Sequence, residues 1–260
     1  MAMSPQCHII GVIGGKGGVG KSVFAANFAQ ALMLELRARV LLIDLDAQSC
    51  GDQNVILGLR PNKTISEVAT YSGQITPTTI STIVAPHNSG LHFIGAVRGP
   101  GDTYEVNGDG FRKALEGLSN IYNFIVVDLG SQFLAPQVVV LENATCAMVV
   151  TAPEILVINQ TQKMLSQMQS MMFPDEMLQV VLNKISPANP VTAQMASQAL
   201  RRNFVGQIPL DDVTATAALT RSTPFVAGQP RAPISISCID TVRRLTQAGT
   251  LLHRHAARIL

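Results

Sequence analysis

The stretch GGKGGVGKS, Gly14 to Ser22, decides how this 260-residue chain is read. It packs five glycines, two lysines and a serine into nine positions. Glycine at that density weakens any helix or strand, so the segment must be a loop held for some other purpose. Gly15, four residues, then Gly20, Lys21 and Ser22 match the phosphate-binding pattern G-x(4)-G-K-[ST]. The flanks suit it. HIIGVI, residues 8–13, is a β-branched run that predicts a buried strand. Residues 21–38 place Phe24, Phe28, Leu32 and Leu36 at helical spacing.

Between a strand and a helix, such glycines let backbone N–H groups turn inward around phosphate oxygens, and the helix N-terminus adds partial positive charge. The expected cradle is Gly15, Lys16, Gly17, Gly18, Val19, Gly20, Lys21, Ser22 and Val23. Lys21 is expected to reach the β- and γ-phosphates of ATP, and the Ser22 hydroxyl to hold Mg2+. In NFIVVD an apolar strand ends on Asp128, a carboxylate suited to the magnesium shell.

Further strands are predicted at 39–46, 91–97, 123–130, 146–153 and 178–184, and helices at 110–118, 154–171 and 191–203. Residues 85–90 and 98–110 read as connections. Apolar strands alternating with helices predict an α/β fold: a single P-loop NTPase domain over residues 1–260, with a mostly parallel twisted sheet covered by helices on both faces. Ligands of such sheets sit at the carboxyl ends of the strands, where Asp44, Asp46, Asp128 and Asn183 gather.

Bulk composition sets limits. The chain is 47% hydrophobic and 14% charged, with a net charge of +2, so nothing marks a strongly basic nucleic-acid binder. Its four cysteines, Cys7, Cys50, Cys146 and Cys238, are too scattered for a zinc site or a disulfide framework. No apolar run reaches the roughly 20 residues of a membrane span. The first residues lack the basic segment of a signal peptide. A reduced, cytoplasmic setting is expected.

The second lysine is the unusual feature. Lys16 is poorly placed to curl onto its own γ-phosphate while Lys21 holds that side, but it can reach a nucleotide on another subunit. KGGVGKS, Lys16 to Ser22, resembles the deviant Walker A motif of the ParA/MinD superfamily, KGGxGK[ST]. That resemblance implies a homodimer with ATP sandwiched at the interface and the first lysine crossing it. VLLIDLDAQ resembles the family's second motif, with Ala47 in place of a frequent proline. By the same resemblance Asp46 orients the attacking water, and Asp44 supports the magnesium shell or the switch. VVLNK and GQIPLDD look like the family's adenine-reading segments, with Asn183 and Pro209 at the base.

The segments YNFIVVDLGSQF, TAPEILVINQTQKML and STPFVAGQPRAPIS resemble the TadZ/CpaE branch, the ParA-like ATPases of Tad (Flp) pilus assembly. Gly130 departs from that branch, which usually has proline there, and strand one begins by residue 8, where many members carry a receiver-like domain first. The branch implies slow ATP hydrolysis, pilus or secretion assembly proteins as partners, and a location at a cell pole or peripheral to the inner membrane. Two alternatives come from other relatives. A plasmid-partitioning ParA-type protein binds DNA non-specifically, and Arg201, Arg202, Arg221 and Arg231 are the candidate contacts. A MinD-like protein touches membrane through its C-terminal helix. Here the tail has an apolar stripe at Ile239, Val242, Leu245, Leu252, Ala256 and Ile259, and arginines at 243, 244, 254 and 258, interrupted by Gly249. Packing of that stripe onto the sheet is the plainer expectation.

Overall fold

β1 (His8–Ile13) lies deep inside an eight-stranded sheet and is hydrogen-bonded on both sides. The computed structural model describes residues 7–99 and 101–251. The other strands are β2 (Val40–Asp44), β3 (Ala85–Pro86), β4 (His92–Ile94), β5 (Phe124–Gly130), β6 (Cys146–Thr151), β7 (Leu178–Ile185) and β8 (Phe204–Pro209). Their order is β3-β4-β2-β5-β1-β6-β7-β8, parallel except for the β3–β4 edge pair. Pro86 sits on that outer strand, where a missing N–H is tolerated.

Each central strand serves two cores, because successive side chains point to opposite faces. Ile9, Leu41, Ile43, Ile125 and Val127 face one core, while Ile10, Val12, Leu42 and Val126 face the other. This two-sided demand is why the strands read as continuous apolar runs. The first core is roofed by α3 (Ile65–Ala69), α4 (Gly108–Ser119), α5 (Ala135–Asn143), α6 (Ile155–Ser170) and α7 (Ala193–Leu200). The second is roofed by α1 (Lys21–Leu36), α2 (Asp52–Leu57), α8 (Asp212–Thr220), α9 (Phe225–Gly228) and α10 (Pro233–Gln247).

The boundaries differ from the sequence reading for local reasons. α1 stops at Leu36 because Arg37 turns left-handed. β2 stops at Asp44 rather than 46: the Asp44 carboxylate accepts from the N–H groups of Asp46 and Gly51, which bends the chain off the sheet. The connection at 85–90 contains the two-residue β3, and α4 begins at Gly108, capped by Asn107, inside the expected 98–110 connection. α3 is too short, at five residues with Ile65, Val68 and Ala69 buried, to show a helical period, although Thr64 and Glu67 form a capping box.

In α10 the expected tail stripe turns inward. Val242 and Leu245 are fully buried and Ile239 is partly buried, packed with α1 and β8. Arg243 pairs with Glu35 of α1 and with Asp240. Gly249, at φ 75°, follows the helix end. Leu252, Arg254, Ala256, Arg258 and Ile259 lie outside the described residues. No helix among the described residues is long and apolar enough to cross a membrane. If the stripe is core, Leu245→Ala should cost about 2–5 kcal/mol. Guanidinium denaturation checks this; an unchanged midpoint would place the residue outside the core.

Candidate functional site

The glycine loop runs from the end of β1 to the start of α1, at the carboxyl edge of the sheet. It borders a cavity of about 500 Å³. Gly17, Gly18, Gly20, Lys21, Ser22 and Val23 line it from the loop side. Beyond a tight turn at Gly17–Gly18, the backbone N–H groups from Gly15 to Gly20 make no close hydrogen bond to the described residues. Donors left this free in a glycine turn suit an anion. Gly20 enters α1 at φ 90°, and a Cβ there would lie 2.6 Å from Asn183 Nδ2, so backbone and space both demand glycine.

The two lysines diverge. Lys21 is buried, and its ammonium donates to the Lys16 carbonyl at 3.2 Å. The Lys16 side chain is exposed on the outer arc of the loop with Gly17 and Gly18. Gly15 lies half-buried against the backbone of α6 at Gln160, and Val19 is buried.

β7 and β8 supply the far wall. Asn183 donates through Nδ2 to the Val19 carbonyl at 2.8 Å, so one of its amide hydrogens is already committed to the loop. Pro209 lines the cavity at the end of β8, beside Ile208 and Leu210. Asp211 caps α8 by accepting from the Thr214 N–H at 2.9 Å. Ala215 and Leu219 close an aliphatic slot of a kind that suits a planar, uncharged ring.

The carboxylates fall into two roles. Asp44 is fully buried and accepts from backbone N–H groups through both oxygens, at 3.1 and 3.2 Å. These bonds hold the loop that follows β2. Asp46 lines the cavity, and its Oδ1 accepts from the N–H groups of Gln48 and Ser49. Asp128 is fully buried two residues before the end of β5, directly in register with Asp44. Burial pushes both carboxyls above the usual carboxylate range, and for Asp44 the charge of Asp128 adds to this. Hydrogen bonds from Gln53 and Ser22 pull Asp128 back only in part.

Gln53 was missed in the sequence reading. It is fully buried in α2, and its Nε2 donates both to the Ser22 carbonyl and to Asp128 Oδ2, each at 2.9 Å. No motif marks it; it is one polar residue in a six-residue helix. Asp128 Oδ1 and Gln53 Oε1 are buried with no partner. Uncompensated oxygens there fit a hard cation such as Mg2+. Among the described residues, however, no three acidic, histidine or cysteine side chains converge into a cage. Of the expected set of Ser22, Asp44, Asp46 and Asp128, Asp44 is taken up by backbone N–H groups through both oxygens and Asp46 through Oδ1, and Asp128 Oδ1 is open.

Gly130 ends β5 at φ 69°, and a Cβ there would collide with the Asp46 carboxylate. Proline, with φ near −65°, cannot take that conformation. Of the arginines considered for nucleic acid, Arg202 is paired with Asp175. Arg201, Arg221 and Arg231 are exposed.

Comparison with known proteins agrees with this geometry. The family described as CobQ/CobB/MinD/ParA nucleotide binding domain (CbiA) matches residues 10–225. The septum site-determining protein MinD of Thermotoga maritima is 26% identical over 253 residues, covering 94% of this chain and 90% of that protein. A ParA family ATPase from Chlorobium tepidum superposes with a TM-score of 0.82 at 21% identity, over 97% of this chain and all of that one. MinD of Pyrococcus horikoshii, complexed with Mg-ADP, superposes with a TM-score of 0.74 at 18% identity, over 94% and 98% of the two chains.

The buried acid in β5, with one oxygen bare, carries a stability cost. At neutral pH, above the unfolded carboxylate value, its raised folded value opposes folding. Asp128→Asn keeps an oxygen to accept from Gln53 and removes the buried charge. Its denaturation midpoint without nucleotide should equal or exceed that of the wild type, while any Mg2+-dependent gain in nucleotide affinity should fall at least tenfold. A lowered midpoint would show that the charge is compensated.

Proposed function

The chain belongs to the CobQ/CobB/MinD/ParA nucleotide-binding family, and from that premise we propose that it is an ATP-operated dimer switch of the ParA/MinD kind. The observation that carries this reading is the pairing of a buried Lys21 with an exposed Lys16 on one loop whose N–H groups are largely free. In this reading Gly15 to Val23 hold the phosphates, and Lys21 leaves the Lys16 carbonyl for phosphate oxygens. Asn183 and Pro209 bound the adenine. Mg2+, when bound beside Ser22 and Asp128, neutralises charge shared by the β- and γ-phosphates. Asp46 orients the attacking water, and a closed, dry cavity strengthens each of these interactions. Lys16 reaches the nucleotide of a second copy. Turnover is slow, since a switch depends on a long-lived bound state.

The finer role is positional. The resemblance to the TadZ/CpaE branch supports a protein that marks where a pilus or secretion assembly forms. The likeness to MinD and to a ParA ATPase supports two other settings equally, a membrane surface and DNA. Burial of Val242 and Leu245 in α10 weighs against the first half of the tail as a membrane face. Pairing of Arg202 with Asp175 weighs against a DNA patch there. ATP-dependent, salt-sensitive binding to random duplex would favour the partition role.

Lys21→Ala should weaken ATP about 10- to 100-fold, the loss expected for charge-assisted hydrogen bonds. Retained affinity in calorimetry would mean that the phosphates lie elsewhere. Lys16→Ala should bind ATP normally yet stay monomeric. Sizing with ATP–Mg2+ that shows the wild-type dimer would remove Lys16 from the interface.

A further inference from the structure

Lys184 is the cation at this site that neither phosphate chemistry nor dimer closure uses. It follows Asn183 at the end of β7, and its backbone is left-handed at φ 58°. Few residues with a side chain take that conformation without a compensating contact. Its ammonium donates to the Gly18 carbonyl at 2.7 Å, while the neighbouring Asn183 takes the Val19 carbonyl at 2.8 Å. The end of β7 therefore grips two successive peptide groups of the glycine loop.

We propose that Lys184 is a positioning residue for phosphate binding, acting through the loop and not on the nucleotide. The physical reason lies in the peptide unit. In a planar trans peptide the C=O and the following N–H point in opposite directions. Pinning the Gly18 carbonyl toward β7 aims the Val19 N–H the other way, to the side of the Lys16 carbonyl that the Lys21 ammonium also reaches. Pinning the Val19 carbonyl does the same for the Gly20 N–H. Gly17, Gly18 and Gly20 leave the loop free to take many other shapes, and each would point donors away from an anion. Lys184 and Asn183 remove that freedom before the ligand arrives, and preorganisation of this kind raises affinity by lowering the cost of ordering.

This inference rests on the phosphate-binding role proposed above, and the experiment separates the two. Lys184→Met keeps the stem and loses the ammonium. Lys184→Gly also loses it, while suiting the left-handed backbone and guarding against misfolding. ATP–Mg2+ is titrated by calorimetry, and inorganic tripolyphosphate is measured by competition. Both variants should lose about tenfold for ATP and for tripolyphosphate alike, the cost of ordering the loop at the moment of binding, with Lys184→Arg recovering part of it. Wild-type affinity in either variant would overturn the proposal. So would weakened ATP with unchanged tripolyphosphate, because Lys184 would then read the base or ribose. A wild-type protein that binds neither ligand would instead sink the phosphate-binding role itself, and this inference with it.

Discussion

The structure turns on a glycine loop whose shape is set from outside. Between Gly15 and Gly20 its own hydrogen bonding amounts to one tight turn at Gly17–Gly18. Its surroundings hold it. Upstream, β1 is locked between β5 and β6. Downstream, α1 is buried along most of its length, including the polar Asn27 and Gln30. Beside it, Asn183 and Lys184 fasten two carbonyls from β7. The central placement of β1 and the apolar wrapping of α1 are therefore part of the site as much as the glycines are.

The acidic side of the cavity carries the opposite problem. Asp44 and Asp128 face one another across paired strands, both buried and both disfavoured in their charged form. Asp44 is steadied by backbone N–H groups, and Asp128 by Gln53 and Ser22 alone, with one oxygen bare. An arrangement that weakens the empty fold in this way is typical of sites that await a cation. Gln53 ties the two halves together, touching the first turn of α1 and the end of β5 from a helix that follows the Asp46 loop.

Much of this was legible in the sequence. The phosphate loop, the strands with two apolar faces and the acids at their ends follow from spacing and residue type. The sheet order, with β7 and β8 beyond β6, brings Asn183 and Pro209, expected at the base, to the cavity wall. What could not be read depends on contacts distant in the chain. Gln53 and Asp128 meet across 75 residues, and Lys184 and Gly18 across 166. A glutamine in a short helix and a lysine after a strand carry no periodic mark. Short elements such as α2 and α3 escaped because five or six residues barely establish a helical period. The tail stripe was visible as a pattern, but its partners, the buried face of α1 and strand β8, were not.

Gly130 joins three segments. Its carbonyl accepts from the Gly14 N–H at 3.2 Å, at the root of the glycine loop, while the Asp46 carboxylate lies where a Cβ on residue 130 would stand. The end of β5, the turn after β2 and the root of the loop therefore meet at one backbone position. A side chain placed there would displace all three at once, because close-packed atoms leave it no room.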